Sequence, residues 1–204
     1  MIVGLTGKSC SGKDFFASLL DRNLFSVIDE DKLGHIALKE RQPELVSAFG
    51  SSILTDGSID RKKLAPIVFS SEEKLSVLNS ITHPWMVERT LEYAKEQQEK
   101  GFIVVINAAI LEQMGFVPYC DMVLLVLSSF EHRLERALRR DGVTHEAFKA
   151  RSDSQSEIGS TLFSSGKKVI TIFNDSTEDA LRKQCEFFSN AMVKEKEKLL
   201  KKML

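Results

Sequence analysis

The chain of 204 residues has 28 basic and 29 acidic side chains, a formal net charge of −1, and a hydrophobic fraction of 43%. This length and balance suit one globular domain with a sizeable core and exclude wholesale disorder. Because the near-neutral charge supplies no global positive field, we expect no nucleic-acid partner.

The chain begins with an apolar run over residues 1–6, which predicts a buried strand. Residues 7–13 then read G-K-S-C-S-G-K, the G-x-x-x-x-G-K pattern of a phosphate-binding loop. Residues 13–21 have apolar side chains at helical spacing, so the loop feeds a helix whose positive end faces an anion. The pattern predicts a phosphate site in which Lys13 reaches the β- and γ-phosphates. The alternative is a glycine-rich turn with a surface lysine.

The residue after Lys13 should be Ser or Thr, whose hydroxyl binds Mg²⁺, but this chain has Asp14. A carboxylate is a good Mg²⁺ ligand, and it repels phosphates unless a metal lies between. We therefore expect a working site in which Asp14 binds the metal directly or through water. The alternative is that Asp14 caps its own helix. Cys10 within the loop we interpret as a small spacer without a redox role.

Residues 24–28 predict a second strand, followed by the acidic residues Asp29, Glu30 and Asp31. If strand geometry continues, Asp29 and Asp31 point the same way. A carboxylate near the γ-phosphate can accept the proton of an attacking hydroxyl. The alternative is a solvated acidic turn that caps the next helix.

Residues 32–100 have a helical pattern broken by turn signals. A D-G turn precedes Asp60, which we expect to cap a helix. The motif H-P-W at His83 interrupts the pattern, and we expect Pro84 in the first turn of a new helix that stops at Gly101. For His83 a capping or packing role stands beside a catalytic one.

Three continuous apolar runs follow and predict strands that are covered on both faces, at residues 102–108, 122–127 and 169–173. Strands that alternate with helices predict an α/β fold with a doubly wound parallel sheet, closed by a last helix over residues 177–204. Ligands of such sheets bind outside the carboxyl ends of the strands. We therefore expect the loop, Asp29, Asp31, Asn107 and Asn174 to converge at one edge.

Residues 130–140 predict a basic helix on which Arg133, Arg136 and Arg140 share one face. Arginine forks suit phosphates, and the alternative is a solvated face paired with acidic neighbours. The polar segment that follows predicts a mobile lid over a nucleotide.

The cysteines, Cys10, Cys120 and Cys185, are widely spaced and form no C-x-x-C pair. This spacing predicts neither a zinc site nor a disulfide framework, and it fits a cytoplasmic location. No apolar run approaches the roughly 20 residues of a membrane helix, so we expect no membrane partner.

These motifs resemble the dephospho-CoA kinase family over nearly the whole chain. The shared motifs are L-T-G-x-x-x-S-G-K, V-I-D-x-D, D-G-x-x-x-R-x-x-L-x-x-x-V-F and L-N-x-I-x-H-P, at residues 5–13, 27–31, 56–69 and 78–84. Later matches are Arg140 with Asp141, Arg151 with Gln155, and Asn174. The three middle motifs are far more specific than the phosphate loop, which many enzyme classes share.

The resemblance implies a P-loop nucleotide kinase fold, with a five-stranded parallel sheet flanked by helices. It implies transfer of the γ-phosphate of ATP to the ribose 3′-hydroxyl of dephospho-CoA, with Mg²⁺, in a monomer or weak homo-oligomer. We expect a single domain with a helical acceptor-binding region over residues 32–100 and a lid over residues 139–165. Its core would comprise residues 1–31, 102–138 and 166–204.

The resemblance also implies roles for individual residues. Asp31 would be the catalytic base, while Lys13 and Arg140 stabilise charge on the transferred group. The expected contacts with ATP are Ser9, Cys10, Ser11, Gly12, Lys13, Asp14 and Asn174, the last near the adenine. The expected contacts with the acceptor are Thr6, Asp31, Arg61 and His83.

The chain departs from the family at Asp14, at His35, where the family usually has Arg, and at residues 107–111, where N-A-A-I-L replaces D-x-P-L-L. We favour a divergent but active kinase, because Lys13, Asp31 and Arg140 remain. The rivals are another small-molecule or nucleoside monophosphate kinase, and a nucleotide-binding protein with little catalytic activity.

Overall fold

The structure, a computed structural model, describes the backbone of residues 1–203 and the side chains of residues 1–198. Seven strands lie in this part of the chain: β1 (Ile2–Thr6), β2 (Phe25–Asp29), β3 (Leu54–Thr55), β4 (Ser58–Ile59), β5 (Ile103–Asn107), β6 (Met122–Leu127) and β7 (Lys168–Phe173). The large sheet has five parallel strands in the order β2-β5-β1-β6-β7. The predicted α/β fold class is therefore confirmed. Strands β3 and β4 form a separate antiparallel hairpin around the D-G turn.

Eight α-helices lie in the same described residues: α1 (Lys13–Leu19), α2 (Glu30–Glu40), α3 (Gln42–Phe49), α4 (Arg61–Val68), α5 (Glu72–Glu99), α6 (Phe130–Asp141), α7 (His145–Asp153) and α8 (Glu178–Met203). The predicted last helix is confirmed except for its end, because Leu204 lies outside the described residues. Within that range, no helix combines the length and apolarity needed to span a bilayer.

Side chains on both faces of the large sheet are buried, which explains the continuous apolar runs. On one face, Val3 and Val105 belong to a core that includes Phe16 of α1 and Phe188 of α8, whose ring centroids are 6.1 Å apart. On the other face, Val104 packs in a cluster with the end of α5. Because successive strand residues point to opposite faces, every position in these strands needs an apolar side chain.

The chain divides into two compact units. The first comprises Met1–Ile28 and the chain from Ala94 onward, and it contains the sheet. The second, Asp29–Tyr93, contains the β3–β4 hairpin and has its own small core, formed by Leu45, Ile53, Leu64 and Val68. The predicted acceptor-binding region, residues 32–100, largely overlaps this second unit, and its role stays a prediction.

The predicted helix break at Pro84 is wrong, because α5 runs through this residue. Proline has no N–H, so the carbonyl of Ser80 loses its helical partner. Ser80 and Pro84 are both exposed, which lets water satisfy that carbonyl. Thr82 and Met86 are buried on either side of the proline and hold the helix in place.

The segment predicted to be a polar lid contains a helix and buried anchors. Phe148 of α7 is fully buried, and its ring centroid lies 5.6 Å from that of Phe130 on α6. Ile158 and Leu162 are also buried. The polar composition concealed these anchors, and movement of the segment stays a prediction.

Candidate active site

The loop of residues 7–13 joins β1 to α1 and has two glycines where a side chain would not fit. A Cβ atom on Gly7 would lie 2.5 Å from the carbonyl oxygen of Val126, and one on Gly12 would lie 2.1 Å from Nδ2 of Asn174. Gly12 is also the N-cap of α1, with a left-handed φ of 97°. The two glycines of the motif are therefore required by the packing of the loop against β6 and Asn174.

At the first turn of α1, Lys13 and Asp14 form a polar cluster with the end of β5. Lys13 Nζ lies 2.7 Å from Asp14 Oδ1, and Asn107 Nδ2 donates to the same oxygen at 2.9 Å. The Lys13 side chain is 8% exposed, whereas that of Asp14 is 62% exposed. Desolvation raises the pKa of Asp14, but the hydrogen bonds from Lys13 and Asn107 and nearby positive charge outweigh it, so the pKa is lowered. Asp14 is therefore ionised at neutral pH.

The contacts of Asp14 argue against the capping alternative. The N-cap of α1 is Gly12, and the Asp14 carboxylate takes its hydrogen bonds from Lys13 and Asn107. Asn107 Oδ1 is buried and has no hydrogen-bond partner among the described residues. An exposed carboxylate thus lies next to an unsatisfied amide oxygen, and both are ligand types that Mg²⁺ accepts. These side chains fit a Mg²⁺ ion that also binds water and phosphate oxygens.

Among the residues described, no group of three or more His, Cys, Asp or Glu side chains is arranged to hold a metal ion.

The three arginines that were predicted to share a face of α6 all contact the loop. Arg133 Nη1 donates to the Ser9 carbonyl at 3.4 Å, and Arg136 Nη1 donates to the Cys10 carbonyl at 3.2 Å. Arg140 Nη2 lies 3.6 Å from Cys10 Sγ. Arg133 is buried and Arg136 is half-buried, so the alternative of a solvated face is wrong for both.

Arg140 is the exposed member of the three and forms an ion pair with Asp141. Arg140 Nε lies 2.6 Å from Asp141 Oδ1, and Arg151 of α7 contacts the other carboxylate oxygen at 3.2 Å. The hydrogen bond to Asp141 raises the pKa of Arg140. The charge network therefore connects α6 with α7 beside the loop.

Asn174 follows β7 and contacts the loop through its side chain. Its Nδ2 donates to the Ser11 carbonyl at 2.8 Å, and its own carbonyl accepts from Arg136 Nη2 at 2.6 Å. Ser128 Oγ donates to the same carbonyl at 3.0 Å. Asn174 thus contacts the loop and Asn107 contacts Asp14 directly after it, as the expected convergence requires, and contact with an adenine stays a prediction.

The lid segment also contacts the loop. Gln155 Oε1 accepts the backbone N–H of Ser9 at 2.7 Å, and Ser152 Oγ accepts from Arg133 Nη2 at 2.9 Å. A phosphate oxygen bound at this part of the loop would compete with Gln155 for the Ser9 N–H.

Glu112 is a residue that the sequence reasoning missed. Its carboxylate accepts from the N–H of Gly159 at 2.5 Å, from the N–H of Thr161 at 3.1 Å and from Thr161 Oγ1 at 2.5 Å. These bonds hold the end of the lid segment to the chain after β5. No motif or periodicity connects residues this far apart, so the sequence held no signal for the contact.

Thr6 ends β1, and its side chain is fully buried. Its hydroxyl donates to the Ala109 carbonyl at 2.8 Å. This bond ties the start of the loop to the segment after β5. The predicted contact of Thr6 with the acceptor stays a prediction.

The remaining predicted site residues belong to the second unit. Strand β2 ends at Asp29, whose carboxylate caps α2 by accepting the N–H of Lys32 at 3.2 Å. Asp31 is the second residue of α2 and is exposed. The expectation that Asp29 and Asp31 point the same way is wrong in its premise, because strand geometry stops at Asp29.

Arg61 and His83 lie on different helices of this unit. Arg61 begins α4, directly after its predicted cap Asp60, and contacts His35 Nε2 through Nη1. His83 is half-buried in α5, where desolvation lowers its pKa and favours a neutral imidazole. The contact with Arg61 gives His35, a departure from the family pattern, a defined partner.

Comparison with known proteins gives one consistent family. A dephospho-CoA kinase family profile matches residues 1–177. The dephospho-CoA kinase of Fusobacterium nucleatum is 34% identical over 191 residues, which cover 92% of this chain and 96% of that protein. The Geobacillus kaustophilus dephospho-CoA kinase is 31% identical over 189 residues, covering 90% and 92%.

Solved structures show the same likeness in three dimensions. The dephospho-CoA kinase from Campylobacter jejuni superposes with a TM-score of 0.71 at 26% identity, covering 95% of this chain and 97% of that one. The protein TT1252 from Thermus thermophilus gives a TM-score of 0.76 at 26% identity, covering 92% and 95%.

Proposed function

Because the chain belongs to the dephospho-CoA kinase family, we propose that it transfers the γ-phosphoryl group of ATP to the ribose 3′-hydroxyl of dephospho-CoA, giving coenzyme A and ADP. The main structural support for phosphoryl transfer is that Lys13 and three arginines of α6 converge on one loop. Membership of the dephospho-CoA kinase family supports dephospho-CoA as the acceptor of the phosphoryl group. The substrates are therefore ATP and dephospho-CoA.

The reaction forms a bond between the 3′-oxygen and the γ-phosphorus and breaks the bond between that phosphorus and the leaving oxygen of ADP. The proton of the 3′-hydroxyl passes to the carboxylate of Asp31, the proposed base. Lys13 and Arg140 offset the negative charge on the transferred group. Asp31 suits the role because it is exposed at the first turn of α2.

Asp14 and Asn107 would hold Mg²⁺, through the carboxylate of the first and the unsatisfied Oδ1 of the second. When bound, the ion supplies positive charge to the phosphates and permits a carboxylate to stand beside them. The lowered pKa of Asp14 supports this role, because the ligand must be ionised.

We also propose the cytoplasm as the working compartment and a monomer or weak homo-oligomer as the working form. All three cysteines are free thiols, which supports a reducing compartment. The formal net charge of −1 supports small-molecule substrates over a nucleic acid.

The test is ADP release from ATP and Mg²⁺ with a panel of acceptors. Dephospho-CoA should support release, whereas coenzyme A, the matched control whose 3′-position is already phosphorylated, should not. Release with nucleoside monophosphates alone would identify a different small-molecule kinase. ATP binding without release for any acceptor would favour a non-catalytic nucleotide-binding protein, the reading that Asp14 and Asn107 motivate.

A further inference from the structure

Glu30 is a buried carboxyl group between the two acidic residues of the V-I-D-x-D motif. It is the first residue of α2, and only 3% of it is exposed. Its Oε1 accepts a hydrogen bond from Thr90 Oγ1 at 2.7 Å, and Thr90 is fully buried on α5. Its Oε2 is buried without a hydrogen-bond partner among the described residues.

This environment suits a protonated carboxyl better than a carboxylate. A buried carboxylate needs several donors or a positive partner, and the hydroxyl of Thr90 is a single neutral donor. Desolvation raises the pKa of Glu30, the Thr90 bond opposes it, and the charges of Asp29 and Asp31 add to the rise, to about 7. Glu30 therefore changes its charge near neutral pH.

The charges that act on Glu30 come from its own end of α2, namely Asp29 and Asp31. The contact from α5 is the uncharged Thr90 hydroxyl. Arg89, the neighbour of Thr90 on that helix, is exposed and pairs with Glu92 at 2.8 Å. No charge described around this carboxyl thus offsets the ionised form.

We propose that Glu30 is a positioning residue for Asp31: its protonated carboxyl fastens the first turn of α2 to Thr90 on α5. The inference rests on the proposed role of Asp31 as base. When Glu30 loses its proton, the buried charge is stabilised only if water reaches it, which requires the first turn of α2 to open. Because Asp31 is the next residue, opening displaces the base.

The kinetic test compares the wild type with Glu30→Gln from pH 5.5 to 8.5. The amide keeps an acceptor for Thr90 and cannot ionise. Wild-type kcat/KM for dephospho-CoA should fall about 15-fold between pH 7 and pH 8.5, the fall expected for loss of one proton with a midpoint near 7. Glu30→Gln should show no such fall. Glu40→Gln, an exposed control on the same helix, should follow the wild type.

Identical pH profiles for the wild type and Glu30→Gln would overturn the inference, since the alkaline fall would then belong to another group. A substrate-free measurement separates this failure from failure of the proposed function. The amide NMR shifts of Asp31 and Thr90 should titrate with a midpoint near 7 in the wild type and not in Glu30→Gln. Titration without turnover of dephospho-CoA would contradict the function alone, and absence of titration would overturn the role of Glu30.

Discussion

Asp14 and Asn107 arrange charge beside the phosphate-binding loop differently from the motif and from the family pattern. The motif has a hydroxyl at position 14, and the family that the chain resembles has Asp at position 107. Here the carboxylate belongs to the start of α1 and the neutral amide to the end of β5, and the two are hydrogen-bonded at 2.9 Å. The pair can therefore still offer a metal one carboxylate and one neutral oxygen ligand, with the carboxylate at position 14 instead of position 107.

Reversing the pair tests this account. Asp14→Ser should raise the Mg²⁺ concentration for half-maximal turnover by about tenfold or more, because it removes the charged ligand. Asn107→Asp in the same chain should recover most of the loss by restoring a carboxylate. Mn²⁺ affinity in the presence of ADP, measured by electron paramagnetic resonance, should be highest in the wild type, lower in the double variant and lowest in Asp14→Ser. Unchanged metal titrations in Asp14→Ser would exclude Asp14 from the metal shell.

The base assignment gives a second prediction for a single residue. Asp31→Asn should lower kcat by roughly 10²-fold or more, because it removes the proton acceptor, while ATP binding stays nearly unchanged. Asp29→Asn is the matched control, since Asn caps a helix as well as Asp does. Steady-state kinetics and nucleotide titration measure both variants. Wild-type turnover in Asp31→Asn would show that another group accepts the proton.

Among the structural elements, the lid segment is held more firmly than its sequence suggested. Glu112 binds its far end, Gln155 contacts the loop, and Phe148 anchors α7. Hydrogen bonds to a charged group contribute about 1.5–3 kcal/mol each, so the three bonds to Glu112 are a substantial restraint on residues 159–161. If the segment closes over a nucleotide, it must either break these bonds or pivot about them, with residues 159–161 held at Glu112.

Glu112→Ala should free that end of the lid. We expect amide hydrogen exchange at Gly159 and Thr161 to accelerate by about tenfold or more, because each lost bond protects by at least about 1.4 kcal/mol. Glu131→Ala, an exposed glutamate on α6, serves as the control. NMR-detected hydrogen exchange measures the protection of these amides. Equal protection in Glu112→Ala and the wild type would show that Glu112 does not restrain this end of the lid.

The elements differ in how well local sequence predicted them. The sheet strands and α6 followed from apolar runs and periodicity, since both patterns report burial directly. The continuity of α5 through Pro84 did not, because burial of Thr82 and Met86 decides it and local propensity opposes it. Contacts such as Asn107 with Asp14 join residues 93 positions apart, and only the strand order brings them together.

For the molecule as a whole, Glu30 links stability to pH. Its folded-state pKa, about 7, lies above the ordinary value of 4.5, so the folded chain binds this proton more tightly than the unfolded chain. The stability that the proton confers is complete below about pH 4.5 and is lost as the pH rises through 7.

Glu30→Gln should therefore stabilise the protein at alkaline pH. At pH 8 we expect its free energy of unfolding to exceed that of the wild type by up to about 3 kcal/mol, and the difference should narrow at pH 5. Urea unfolding of both proteins at the two pH values measures it. A difference that is independent of pH would mean that Glu30 does not titrate between them.

Phosphorylation of the 3′-hydroxyl can be observed directly by ³¹P NMR of a reaction containing the protein, ATP, Mg²⁺ and dephospho-CoA. A new phosphomonoester resonance coupled to the ribose 3′ proton should appear in step with ADP. ADP accompanied by inorganic phosphate, or ATP and dephospho-CoA both unchanged, would contradict it.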